Sequence, residues 1–199
     1  FCVHPRGAVK PVPKIGGTKD FDLDALARQR PTHLVVNVDE NRREAVDAAR
    51  AFVPQVIVTH PTGPLDNPRL FRLFGAIFDR ESAATRLAAE FDAALAALDA
   101  AVATLPREPV LYLIWRKPWM TVARDTYISR MLARVAWRTW PPGPGGGTGA
   151  ARYPVLTGGE SWLPRVQEVL LSSEPYRFTN DHLAAAQALP TSVALRAGA

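Results

Sequence analysis

The stretch that decides the fold is "DRESAATRLAAEFDAALAALDAAVATL", Asp79 to Leu105. It runs 27 residues without glycine or proline and is rich in Ala, Leu and Glu, the strongest helix formers. Leu87, Phe91, Leu95, Leu98 and Val102 recur at three- and four-residue spacing, which lines one face of a helix. At 1.5 Å per residue such a helix spans roughly 40 Å, too long for a crossover within one small sheet. A long surface helix on a single domain is the plainer reading. A rigid spine joining two βα lobes is the sharper one, and we adopt it.

Short apolar, β-branched runs lie on both sides of this helix. Pro31–Val38, Gln55–His60, Pro109–Trp115, Glu168–Ser173 and, more weakly, Thr191–Leu195 have strand length. Continuous apolar runs suit parallel strands buried on both faces. Helical patterns alternate with them. "DLDALARQR" offers Asp22 as an N-cap. "ENRREAVDAARAF" puts Ala45, Ala48, Ala49 and Phe52 on one face, and "RDTYISRMLARVA" does the same with Ile128, Met131, Leu132 and Val135. Strands alternating with helices predict an α/β fold of βαβ units with parallel sheets. The expected division is a first lobe over 1–78, the linking helix over 79–105 and a second lobe over 106–199. "PPGPGGGTGA", Pro141–Ala150, reads as a flexible loop without regular structure, inserted in the second lobe.

Composition narrows the function. Apolar residues at 47% and charged residues at 22% are ordinary for a globular protein. The net charge of +5 is scattered rather than laid in a stripe with aromatics, which argues against nucleic acid and for at most a basic mouth toward an anionic ligand. No apolar run approaches the ~18 residues of a membrane span. Cys2 is the only cysteine, so internal disulfides and Cys-x-x-Cys metal knuckles are excluded. The chain opens on Phe1 rather than methionine, so its true N-terminus is expected upstream, and the lack of a visible signal segment says nothing about export.

Polar and aromatic clusters follow the strands, where open parallel sheets take ligands. "VLYLIWRKPWMTVARDTY" places Trp115, Arg116, Lys117, Trp119 and Met120 on one turn. Paired tryptophans at a strand end either plug the core or form a flat wall for a planar ligand. Cations between them indicate partial exposure, because neither is cheap to bury. They could pair with ligand carboxylates or phosphates, or with Glu174 or Asp125. "LSSEPYRF" adds Glu174, Tyr176 and Phe178, and "FCVHP" adds Cys2 and His4. Gly16–Gly17–Thr18 is a weak phosphate-loop signal and reads better as a tight turn. Asp39 and Glu40 could act as acid and base but read better as a helix N-terminal cap. Of the histidines, His33 reads as a strand core residue and His182 as a solvated residue in the first turn of a helix. His4 and His60 are left as possible metal ligands, without helical metal spacing. No protein-held metal and no catalytic residues are assigned.

Taken in order, "FCVHP…VPKIGGTKDFDLDALARQRPTHLVVNVDENRRE", the Ala-rich helix, "VLYLIWRKPWMT…DTYISRML", "RYPVL" and "EVLLSSEPYRF" resemble one family over roughly residues 1–180. It is the helical-backbone metal receptors, the cobalamin and iron-siderophore periplasmic-binding class of ABC-importer substrate-binding proteins. The resemblance implies two Rossmann-like lobes joined by one long α-helix, with a ligand cleft between them. It implies cleft contacts from Cys2, His4, Thr18, Trp115, Arg116, Lys117, Trp119, Met120, Glu174, Tyr176 and Phe178. It also implies that carboxylates dock a membrane permease, with Asp39, Glu40, Glu44, Glu160 and Glu168 as candidates. Against the family pattern, the strand before "FCVHP" and the C-terminal helix are missing, and the loop 141–150 is extra.

The expectation is a monomeric, non-enzymatic receptor, periplasmic or lipid-anchored outside the cell. It has no cofactor of its own and carries a metal-bearing ligand, cobalamin first and haem or a ferric siderophore next. One alternative is a bare zinc or manganese receptor of the same architecture. Another is an enzyme on a two-lobed scaffold using Glu174 or Asp39.

Overall fold

The computed structural model describes residues 5–146, 149–173 and 176–191. Within them the chain is α/β, with two short parallel sheets, and it divides into two compact units at His60/Pro61.

The first unit holds α1 (Arg6–Val9), α2 (Leu23–Arg28), β1 (His33–Asn37), α3 (Arg43–Ala49) and β2 (Gln55–Thr59). The Asp22 carboxylate accepts the Ala25 N–H at 2.9 Å, the expected N-cap. β1 and β2 pair in parallel, with Val36 opposite Val58. Leu26, Ala49 and Val53 form a small core, closed by Ile15, Phe21, Leu23, Leu34 and Val56. Burial on both faces does not hold here, since Val35 and Val58 are 43% and 52% exposed. Two strands with two flanking helices cannot cover both sides. Phe52 is also exposed; α3 buries Val46 and Ala49 instead. The expected cap from Asp39 and Glu40 is not formed, because α3 starts at Arg43 with Arg42 as its N-cap, too far along the chain.

The second unit begins with α4 (Asn67–Ile77) and α5 (Glu81–Val102), two helices packed on each other. α5 realises 22 of the 27 residues read as helix, about 33 Å. Ala84 is its buried residue, and Phe91, Leu95, Leu98 and Val102 are half-buried. Leu87, expected on that face, is 45% exposed. The helices meet at Gly75, where an added Cβ would lie 2.6 Å from the Ala84 Cβ, and Phe71 meets Phe91 edge-on at 6.1 Å. An ion pair from Arg134 to Asp99 ties α5 to the sheet layer.

That layer comprises β3 (Glu108–Leu113), α6 (Tyr127–Ala133), β4 (Trp137–Thr139), α7 (Gly149–Arg152), β5 (Glu168–Leu171) and α8 (Leu183–Gln187). The strands are all parallel in the order β4-β3-β5. Here burial on both faces does hold for β3, whose Val110, Leu111 and Leu113 are fully buried. Leu156, Leu163, Val166, Val169, Ala186 and Leu189 complete the core. Met131 is exposed rather than inward, because α6 turns Ser129 to the sheet, where its hydroxyl meets that of Thr139. β4 has no counterpart in the sequence reading. The fifth expected strand lies outside the described residues apart from Thr191, which is irregular. The described parts of the glycine-rich stretch make backbone contacts and a short helix. Gly145 donates to Asp125 at 2.8 Å, Gly143 accepts from the Arg124 N–H, and α7 begins at Gly149.

Two outcomes follow. Gly75→Ala gains helix propensity yet forces α4 off α5, so chemical denaturation should show a net loss of about 1–2 kcal/mol. Adding Ala84→Gly, which moves the methyl to the other helix, should restore the packing part of that loss. Asp66 and Asp125 sit below the usual carboxylate range. For Asp66 the Thr62 and Gly63 N–H groups achieve this; for Asp125 burial pushes upward but is outweighed by the Gly145 N–H and Arg152. A depressed folded pKa stabilises at neutral pH, and that stability is lost as pH falls from the usual carboxylate range through the folded values. Stability measured against pH should therefore fall on acidification, less steeply in Asp125→Asn.

Candidate functional site

Because β4, β3 and β5 are parallel, the turns after them emerge at one edge of the sheet. After β3 the chain reverses over Trp115–Met120. Ile114 donates to the Met120 carbonyl at 3.0 Å and Met120 to the Trp115 carbonyl at 3.1 Å. Thr121 and Leu156 pin the returning strand to Pro154 and Trp119 at 3.0 and 2.8 Å. Lys117 takes the left-handed conformation at the turn, φ 64°.

The side chains form a chain of contacts from Trp115 to Trp119. Trp115, 41% exposed, meets Tyr176 edge-on with centroids 5.2 Å apart. Tyr176 touches Phe178 at 4.6 Å, Phe178 stacks on Trp119 at 6.0 Å, and the Arg116 guanidinium lies 5.6 Å over the Trp119 ring. The two tryptophans therefore differ. Trp119 and Phe178 pack on the core cluster, whereas Trp115 stands at the surface. Arg116 and Met120 are half-buried and Lys117 is exposed.

The structure thus brings Trp115, Arg116, Lys117, Trp119, Met120, Tyr176 and Phe178 together. Cys2, His4 and Glu174 lie outside the described residues. Thr18 belongs to the first unit, where its hydroxyl meets Glu40 Oε2 at 3.2 Å and its carbonyl accepts from Asn41 Nδ2 at 2.8 Å. Gly16 there has φ 102°, a positive-φ turn. Asp39 lies 3.6 Å from His60 Nε2. A pocket of about 350 Å³ sits between the ends of β1 and β2 and α3, lined by Val36, Val58, Val46, Arg43 and Asp47. Among the described residues no three metal-ligating side chains converge.

The carboxylates expected to dock a permease fall in both units. Glu44 is exposed in the first turn of α3. Burial pushes the Glu160 carboxyl up, but hydrogen bonds from Thr157 and Gly158 outweigh it and hold the group below its usual range. Glu168 starts β5, at the end of the strand opposite the aromatic cluster.

Three aromatic features escaped the sequence reading. Trp140 stacks on Trp162 at 5.7 Å, and Arg124 lies 5.9 Å over Trp140. His182, expected to be solvated, ends a 3-10 turn and contacts both Tyr176 and Phe178. Its one sequence signal is Thr179, three residues before it, a cap residue at capping spacing.

The fold recurs in known proteins. The structure superposes on the periplasmic vitamin B12 binding protein BtuF of Vibrio cholerae with a TM-score of 0.73, at 12% identity over 92% of this chain and 67% of that one. The haem-binding RhuT of Roseiflexus sp. RS-1 gives 0.71 at 20% identity over 85% and 64%. A periplasmic haem-binding protein of Pseudomonas aeruginosa gives 0.70 at 18% over 92% and 65%. The chain spans about two thirds of the length of these proteins. No curated protein matches the sequence. The periplasmic binding protein family model matches residues 1–141, and the chain belongs to that family.

Proposed function

We propose that the protein is the substrate-binding component of an ABC importer, capturing a metal-bearing macrocycle or chelate and delivering it to a membrane permease. Cobalamin is the first candidate, and haem or a ferric siderophore the next. The observation that carries the reading is the aromatic cluster with a cation on it, built where the β3 and β5 loops emerge. The B12- and haem-binding proteins that share the fold support this class of ligand. The reading includes α5 as the link between a first lobe ending near 78 and a second starting near 106. It also places a monomer in the periplasm or lipid-anchored outside the cell; among the described residues no helix is long and apolar enough to cross a membrane.

Mechanistically, Trp115 offers apolar area to the flat face of the ligand. Arg116 and Lys117 attract its carboxylate or phosphate groups and speed encounter. Glu44, exposed on α3, is the docking carboxylate we favour, over Asp39 and Glu40, which are engaged in the loop after β1. The bare-metal alternative rests on the His60–Asp39 pair. Stoichiometric zinc or manganese in the purified protein, lost in His60→Ala, would put it first.

Titration with cyanocobalamin, haemin and ferric chelates tests the leading reading. Saturable quenching of tryptophan fluorescence by one of them is expected, and no response to any sinks it. Trp115→Ala should weaken binding about tenfold or more with stability nearly unchanged, whereas Trp119→Ala should cost about 2–4 kcal/mol of stability. Lys117→Gly suits the positive φ, so it removes the charge without harming the turn. It should slow association at low salt and leave dissociation unchanged.

A further inference from the structure

His182 is held at both ring nitrogens. Nδ1 lies 2.9 Å from the Thr179 backbone N and 3.1 Å from its hydroxyl, and Nε2 lies 3.1 Å from the Tyr176 hydroxyl. A backbone N–H can only donate, so Nδ1 is the acceptor and the proton of the neutral ring sits on Nε2. That N–H donates to the Tyr176 oxygen. The imidazole also stands edge-on to Tyr176 and to Phe178, at 5.4 and 5.5 Å. Along the loop itself, the Phe178 N–H donates to the Tyr176 carbonyl at 3.0 Å.

From this geometry we infer that His182 is the positioning residue of the aromatic wall: it fixes Tyr176 against Trp115 and sets the polarity of the phenol. The inference rests on reading that wall as the ligand surface. With its oxygen accepting from His182, Tyr176 turns its own proton outward as a donor. The wall then selects a ligand that carries an acceptor at its edge, a carboxylate or an amide carbonyl, beside the flat area laid on Trp115. The 3-10 turn Asn180–His182 is the bracket, anchored by Thr179 and continued into α8, whose Ala186 lies in the core.

Two substitutions separate positioning from simple capping. Gln reproduces the Nε2 donor toward Tyr176 but not the Nδ1 acceptor; Asn reproduces the acceptor but cannot reach Tyr176. The ligand-free readout is the Trp115 indole N–H resonance, assigned by its loss in Trp115→Phe. The second readout is the affinity for cyanocobalamin and haemin. We expect His182→Gln to keep the resonance in place and affinity within about twofold. His182→Asn should move the resonance and weaken binding about five- to tenfold, the value of one hydrogen bond. Tyr176→Phe should weaken binding equally, and adding His182→Asn to it should cost nothing more. The inference is overturned if Asn preserves the resonance, or if Gln moves it as far as Asn does. Should neither probe bind the wild type, the importer reading fails, and the resonance still decides the role of His182.

Discussion

Everything at the candidate site depends on the burial of the apolar part of β3. Val110, Leu111 and Leu113 are fully buried, and both neighbouring strands are paired to it in parallel. A strand enclosed in this way cannot lead into a loose loop, because the backbone polar groups just beyond it would be left unpaired next to the core. The chain meets that constraint with the tight reversal Trp115–Met120: the Met120 carbonyl accepts from Ile114, the Met120 N–H donates to the Trp115 carbonyl, and the Trp119 carbonyl accepts from Leu156. Thr121 and Ser172, both buried, spend their hydroxyls on the Tyr112 and Leu113 carbonyls for the same reason. Once the backbone is locked, large rings can be carried at the edge without loosening it.

The parts legible in the sequence are those dictated by local physics. β3 was readable because double-sided burial demands an unbroken apolar run, and α5 because nothing in it opposes a helix. Asp22 was readable because a cap is a local hydrogen bond. What failed depended on neighbours. Leu87 and Met131 fit a helical stripe, but a stripe is buried only where a partner covers it, and both stay exposed. β4 is three residues long with an exposed Arg138 at its centre, so it has no pattern to find; β3 makes it a strand by pairing with it. Asp39 and Glu40 looked like caps by type, but Asn41 draws them into the loop after β1 instead. Its Oδ1 accepts from Asn37 and its Nδ2 reaches the Thr18 carbonyl.

The site was legible in composition and not in arrangement. That Trp115 and Trp119 share a turn follows from the sequence; that they do different work follows from alternation across the reversal. Trp119 is drawn back over Phe178 and the core, and its outer face is covered by Arg116. A guanidinium over an indole keeps most of its hydrogen-bonding edge in water, so Arg116 can be held in place and still present its charge. Lys117 has no such restraint and stands exposed at the tip of the turn. The turn after β3 therefore carries two cations of unequal freedom.

Rigidity is the property this arrangement secures. A ligand with a large flat face loses affinity for each side chain it must immobilise, about 0.5–1.5 kcal/mol apiece. Tyr176 is half-buried and held by ring contacts with Trp115 and Phe178, and Trp115 is 41% exposed. A neutral imidazole bonded at both nitrogens adds a restraint on Tyr176, and Tyr176 passes it to Trp115 through the edge contact. The wall is ordered through the α8 region, which is anchored in the core by Ala186 and Leu189, rather than by the ligand. On the proposed reading, most of the cost of ordering the wall is met in folding, before a ligand arrives.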